Sequence, residues 1–156
     1  MEFYPTLLTL HIIFAGGWLF SAIIDRPFKS YIAANNDNKS KEKLIGLYLV
    51  LTNKLGMAGA VGILLTGIIM VILNPGYGFF EFTSNHWLVS KQILTLVILL
   101  IIFVFIIPAS KDLRKSIKDN NGDPEANLKK IYKFNTIINI LVGINFLFAI
   151  THRFFG

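Results

Sequence analysis

Four stretches of this 156-residue chain are apolar for long enough to cross a lipid bilayer, and no other property constrains the fold as tightly. At about 1.5 Å per residue, a helix needs about 20 apolar residues to cross a hydrocarbon core of about 30 Å. The stretches run from about 5 to 24, 55 to 73, 87 to 107 and 134 to 150. In lipid every backbone N–H and C=O must be paired within the protein, which leaves helices as the fit for stretches of this length. The sequence therefore predicts an all-α, integral membrane four-helix bundle forming one domain over 1–156. Pro5 suits a first helical turn, where its missing N–H has no partner to lose. Asn74-Pro75-Gly76 stops the second stretch, and Pro108 follows the third.

The charges set the topology. Arg26, Lys29, Lys39, Lys41 and Lys43 lie in the first connection, and Lys111, Arg114, Lys115, Lys118, Lys129, Lys130 and Lys133 in the third. These are twelve of the fifteen Lys and Arg residues, and the N-terminal tail and the loop 74–86 hold none. Basic loops stay in the cytoplasm, so 25–54 and 108–133 are expected there, with both termini outside it. The expected location is a bacterial inner (plasma) membrane. No basic segment precedes the first stretch, so it reads as a span and not as a cleaved signal. The same bias accounts for the net charge of +6 without a nucleic-acid partner. The amphipathic run 44–54 suggests that helix 2 continues below the membrane. Asn121-Gly122-Asp123-Pro124 divides the third connection into two short basic helical pieces.

Small residues predict where helices meet. The second stretch offers Gly56, Ala58, Gly59, Ala60, Gly62 and Gly67, and the first offers Ala15, Gly16, Gly17, Ser21 and Ala22. Such faces serve tight packing or make room for a flat cofactor. The third stretch is bulky from Leu94 to Ile107, which suits a lipid-facing surface.

Ionisable groups within a membrane cost about 2.5–3.5 kcal/mol at mid-span and need a reason. His11 lies about two turns into helix 1, and Lys91 about one turn into helix 3. His86 and His152 stand at the ends of helices 3 and 4. All three histidines are thus expected on the outer side, and imidazole is a ligand for iron, copper or zinc. Phe14 and Trp18 share a helical face with His11, and aromatics beside a histidine suit a porphyrin. The bland alternatives are interfacial histidines, a snorkelling Lys91 and a His11 that bonds a neighbouring helix. Lys54 reads as a boundary anchor, and Asn135 and Asn139 as residues that hold helices together. With no cysteine, thiolate chemistry is excluded. The four stretches contain no carboxylate, which argues against a transporter built on a buried acid.

His11-Ile-Ile-Phe-Ala-Gly-Gly-Trp18 and Trp87-Leu-Val-Ser-Lys91 together resemble the HemJ-type protoporphyrinogen oxidases. Those are four-helix membrane proteins with a Leu-His-(x6)-Trp helix and a Trp-Leu-x-x-Lys helix. Copper-resistance D-type membrane domains carry a related His…Trp pattern. The resemblance implies a bound haem b and oxidation of protoporphyrinogen IX to protoporphyrin IX. It makes His11 and Lys91 the catalytic pair. Cofactor contacts would come from His11, His86, His152, Trp18, Phe14 and Lys91, and metal ligands from the three histidines. Where the family carries an arginine cluster after helix 1, this chain has Asp25-Arg26-Pro27-Phe28. Where the family ends in Lys-Pro-Phe, this chain has His152-Arg153-Phe154-Phe155. The alternatives left open are a non-enzymatic component of a larger assembly or a homo-oligomer, and a copper-handling protein.

Overall fold

The computed structural model describes residues 3–83, 86–119 and 122–155, with side chains as far as Thr151. Four long helices account for nearly all of them: α1 (Tyr4–Ala34), α2 (Asn38–Leu73), α3 (His86–Asp119) and α4 (Pro124–Phe155). There is no strand among the described residues. All four helices are long and apolar enough to span a membrane, as a multi-pass membrane protein requires. They run alternately up and down. Residues 74–83, the start of α1 and the end of α4 share one end of the bundle, here called the termini end. The turn at 35–37 and the junction of α3 with α4 share the other, the basic end.

The helices overrun their apolar stretches. The 36 residues of α2 reach about 54 Å at 1.5 Å each, far beyond a 30 Å core. The connections expected at 25–54 and 108–133 are therefore helical over most of their length, and only short turns remain. Helix over 44–54 and over the two basic pieces of the third connection follows the sequence expectation, whereas helix over 25–34 and 38–43 does not, because hydropathy alone misses an amphipathic overrun. Ile32, Ile45, Leu113, Leu128 and Ile131 are buried there and close a core among charged neighbours. Asp37 starts α2 by accepting hydrogen bonds from the Ser40 amide (3.0 Å) and hydroxyl (2.6 Å). Asp123 does the same at the start of α4, accepting from the Ala126 amide at 2.9 Å.

Pro108 does not end a helix as its sequence position suggests. The preceding residues Ile102–Ile106 adopt a wider π-helical turn, in which hydrogen bonds span five residues. That turn shifts the register just where the proline would otherwise meet the previous turn. A second π-helical segment, Leu49–Lys54, lies within α2.

Along the apolar stretches many large side chains stay exposed, including Ile12, Ile13, Leu65, Ile72, Leu100, Phe103 and Leu147. In water this would be ruinous, but lipid is as apolar as a protein core, so these faces need no cover. The expectation for α3 holds in part. Leu96, Leu100, Phe103 and Val104 face outward, while Ile98, Ile102 and Ile106 are buried.

Contact between α1 and α2 follows the glycines. A Cβ on Gly59 would stand 3.0 Å from the Trp18 Cβ, and one on Gly62 would run into the Phe14 ring. Gly56 faces Ser21 and Trp18 in the same way. Gly16 and Gly17 of α1 take no part, since a Cβ on either meets nothing within 4 Å.

Candidate functional site

At the termini end, the face shared by His11, Phe14 and Trp18 turns onto α2. His11 lies beside Gly67, and its Nδ1 is 2.8 Å from the Thr66 hydroxyl. Thr66 already donates its one hydrogen to backbone carbonyls, to Gly62 at 2.6 Å and Ile63 at 3.2 Å. Its oxygen is therefore the acceptor, and His11 donates from Nδ1. That puts a proton on Nδ1, so in the neutral imidazole the Nε2 lone pair is the one open to a ligand.

Lys91 comes from α3, about a turn from its start at the same end of the bundle. It is half-buried, with its ammonium 5.6 Å from the centre of the Trp87 ring. Among the described residues it has no carboxylate partner. A turn further along α3, Thr95 accepts a hydrogen bond of 3.3 Å from Asn145 Nδ2 on α4. The other end of that amide, Asn145 Oδ1, is buried without a partner.

The other expected ligands are not gathered there. His86 opens α3 and is exposed. The backbone of His152 belongs to α4, and its side chain lies outside the described residues. Among the described residues no three His, Asp or Glu side chains form a metal-holding group. Phe14 and Trp18 are committed to packing on the α2 glycines, so that groove has no room for a flat cofactor. Gly17 on α1 and Gly143 on α4 have open space beside them instead.

A second polar centre, toward the basic end, escapes the sequence reading. Asp25 was expected as the first residue of a loop. It is buried within α1, 4% exposed, and all four helices meet around it. Lys29 donates to its Oδ2 at 2.5 Å and Tyr48 of α2 to its Oδ1 at 2.7 Å. Lys29 also donates to the Tyr132 carbonyl (3.1 Å) and the Thr136 hydroxyl (3.0 Å) of α4. Asn135 of α4 donates to the Tyr48 hydroxyl at 2.8 Å and to Asn53 Oδ1 at 3.2 Å. Asn53 in turn donates to Ser110 of α3 at 2.7 Å. The Tyr48 and Tyr132 rings meet edge to face, 5.3 Å between centres. The expected helix-joining role of Asn135 is thus observed. Lys54 is exposed, as a boundary anchor requires.

The chain matches no protein-family model, no curated protein and no solved structure.

Proposed function

We propose that the protein binds haem b in a bacterial plasma membrane, with the basic end in the cytoplasm and both termini outside it. One observation carries the reading. His11 is half-buried and donates its Nδ1 hydrogen to Thr66, so in the neutral ring Nε2 is the nitrogen left for iron. The other donor groups fit the same ligand. Among the described residues Lys91 has no counter-charge, and it would receive a propionate carboxylate, for which an ammonium in a low-dielectric setting has a strong preference. The open flanks of Gly17 and Gly143 leave space for an apolar ring that the filled α1–α2 groove does not.

Bound haem would supply one-electron redox chemistry. The activity proposed with it is that of a protoporphyrinogen IX oxidase, which removes six electrons and six protons from the substrate and needs an acceptor such as a membrane quinone. In this scheme Thr66 orients His11, Lys91 anchors a carboxylate, and the lipid-facing walls exclude water.

A visible spectrum of the detergent-purified protein tests the reading. Haem absorption is expected from the unmodified chain and none from His11→Ala. Thr66→Val keeps the shape but removes the acceptor, and should weaken haem retention about 10- to 100-fold. Lys91→Met should lose more haem than Lys91→Arg. A preparation from haem-replete cells that stays colourless after haemin addition ends the proposal. Reporter fusions at Gly78 test the orientation, since activity of a cytoplasmic reporter there reverses it.

A further inference from the structure

Between the buried Asp25 and the two π-helical turns lies a cavity of about 20 Å³. Its polar lining comes from Ser21, Asp25, Thr52, Asn53, Asn135 and Asn139, and Ile102 and Ile106 face them from α3. We infer that this cavity is a binding site for a single internal water molecule that completes the hydrogen bonding of Asp25, Asn135 and Asn139.

Size, hydrogen-bond capacity and charge agree on that ligand. A water needs about 10–15 Å³ on this measure and two to four polar partners. Asn135 directs its amide N–H groups to Tyr48 and Asn53, and among the described residues its Oδ1 has no protein partner. Among the described residues the half-buried Asn139 amide has none at either end, although it lines the same space. Each Asp25 oxygen accepts one bond from protein and has capacity for a second. A donor and several acceptors thus converge on one water-sized volume. Ser21, Asp25, Asn53 and Asn135 are each less than one-tenth exposed, so bulk solvent does not meet these needs.

Charge selects water over a cation. The Lys29 ammonium already neutralises Asp25. A sodium or potassium ion would leave a net positive charge in a low-dielectric interior, which is heavily disfavoured. The backbone adds an independent sign. The π-helical turns Leu49–Lys54 and Ile102–Ile106 both contribute to the lining, through Thr52 and Asn53 from one and Ile102 and Ile106 from the other. Such turns are rare and gather at functional sites. Two on facing helices at one cavity mark it as a built feature.

The sign of one stability change tests the inference on the full chain in detergent. Leucine nearly matches asparagine in size. If the cavity is dry, Asn139→Leu removes a half-buried, unpartnered amide and should raise the unfolding midpoint or leave it unchanged, and that result overturns the proposal. If a water is bound, the substitution orphans the water and Asn135 Oδ1 and should lower the midpoint by roughly 5 °C. Should the variant fail to fold, the unmodified protein decides. A crystallographic or cryo-EM map that resolves ordered waters is expected to show a peak within hydrogen-bonding distance of Asn135 and Asp25. Ordered side chains with no such peak overturn the proposal. So does a midpoint that rises in sodium or potassium chloride over choline chloride at equal ionic strength, which would assign the site to a cation.

Discussion

The two ends of the bundle use polar side chains in opposite ways. Around Asp25 a carboxylate, an ammonium, a phenol, two amides and a hydroxyl bond to one another and link four helices, leaving over the Tyr132 hydroxyl and the groups that line the water-sized cavity. Around His11 they stop short. Nε2 has no partner among the described residues, the Lys91 ammonium has no counter-ion there, and Asn145 Oδ1 is buried and unpaired. Polar groups in an apolar medium are expensive unless satisfied. A network that links four helices repays that cost in structure. The first end ties the bundle together, and the second is the end at which the proposed haem would complete the open groups.

The largest test of this contrast is Asp25→Ala. It leaves the half-buried Lys29 ammonium without its carboxylate and removes the acceptor of Tyr48, so a loss of about 3 kcal/mol in unfolding free energy is expected, the lower end for breaking a buried pair. The double variant Asp25→Ala/Lys29→Met should recover part of that loss, because the stranded charge goes with it. If unfolding in detergent finds Asp25→Ala no more harmful than His11→Ala, the division between the two ends fails.

Gly62→Ala comes next. Its methyl group meets the Phe14 ring close to the backbone, where rotation offers no escape, so α1 and α2 must separate. The expected cost is about 1–3 kcal/mol. Because His11 lies one turn from Phe14, the variant should also disturb whatever His11 binds. A Gly62→Ala protein with unchanged midpoint and unchanged ligand spectrum would mean that the helices approach each other less closely than described.

The smallest effect separates a surface cap from both interior centres. Hydrogen bonds from Ser40 hold the exposed Asp37 carboxyl below its ordinary carboxylate range. A lowered folded-state pKa contributes stability that is fully present above the unfolded value, near 4. That contribution fades as pH falls through the lower folded value. Helical content near the 35–37 turn should therefore hold steady above about pH 5 and decline under acid, as followed by amide hydrogen exchange. In Asp37→Ala this part of the pH dependence should vanish. A profile identical in both proteins would deny the cap any role.

Much of this architecture is written in the sequence, but unevenly. Four spans follow from hydropathy because lipid imposes one requirement on every residue of a stretch. His11, Phe14 and Trp18 share a face because helical period alone puts them there. Asp25 and Lys29 were hidden by the same reasoning. They begin the first basic connection, and a hydropathy reading treats any charge at the edge of a span as the start of a loop. The missed signal was their spacing: an acid four residues before a lysine is an ion pair on a helix, and Ile32 continues the buried face beyond it. Tyr48, Asn53 and Ser110 carried no comparable signal, since their meeting depends on how three separate helices are set against each other. The π-helical turns were equally unreadable, although Pro108 stood as a mark beside one of them.

The seat of Phe14 on Gly62 also fixes how this protein can respond to its surroundings. With the ring lodged in the missing side chain, α1 cannot slide along α2 by a fraction of a turn. Bilayers differ in thickness by several ångströms, and single helices adjust by shifting or leaning. Here the pair must lean as one body. A thinner or thicker membrane would therefore tilt His11 and Thr66 together and leave the bond between them intact.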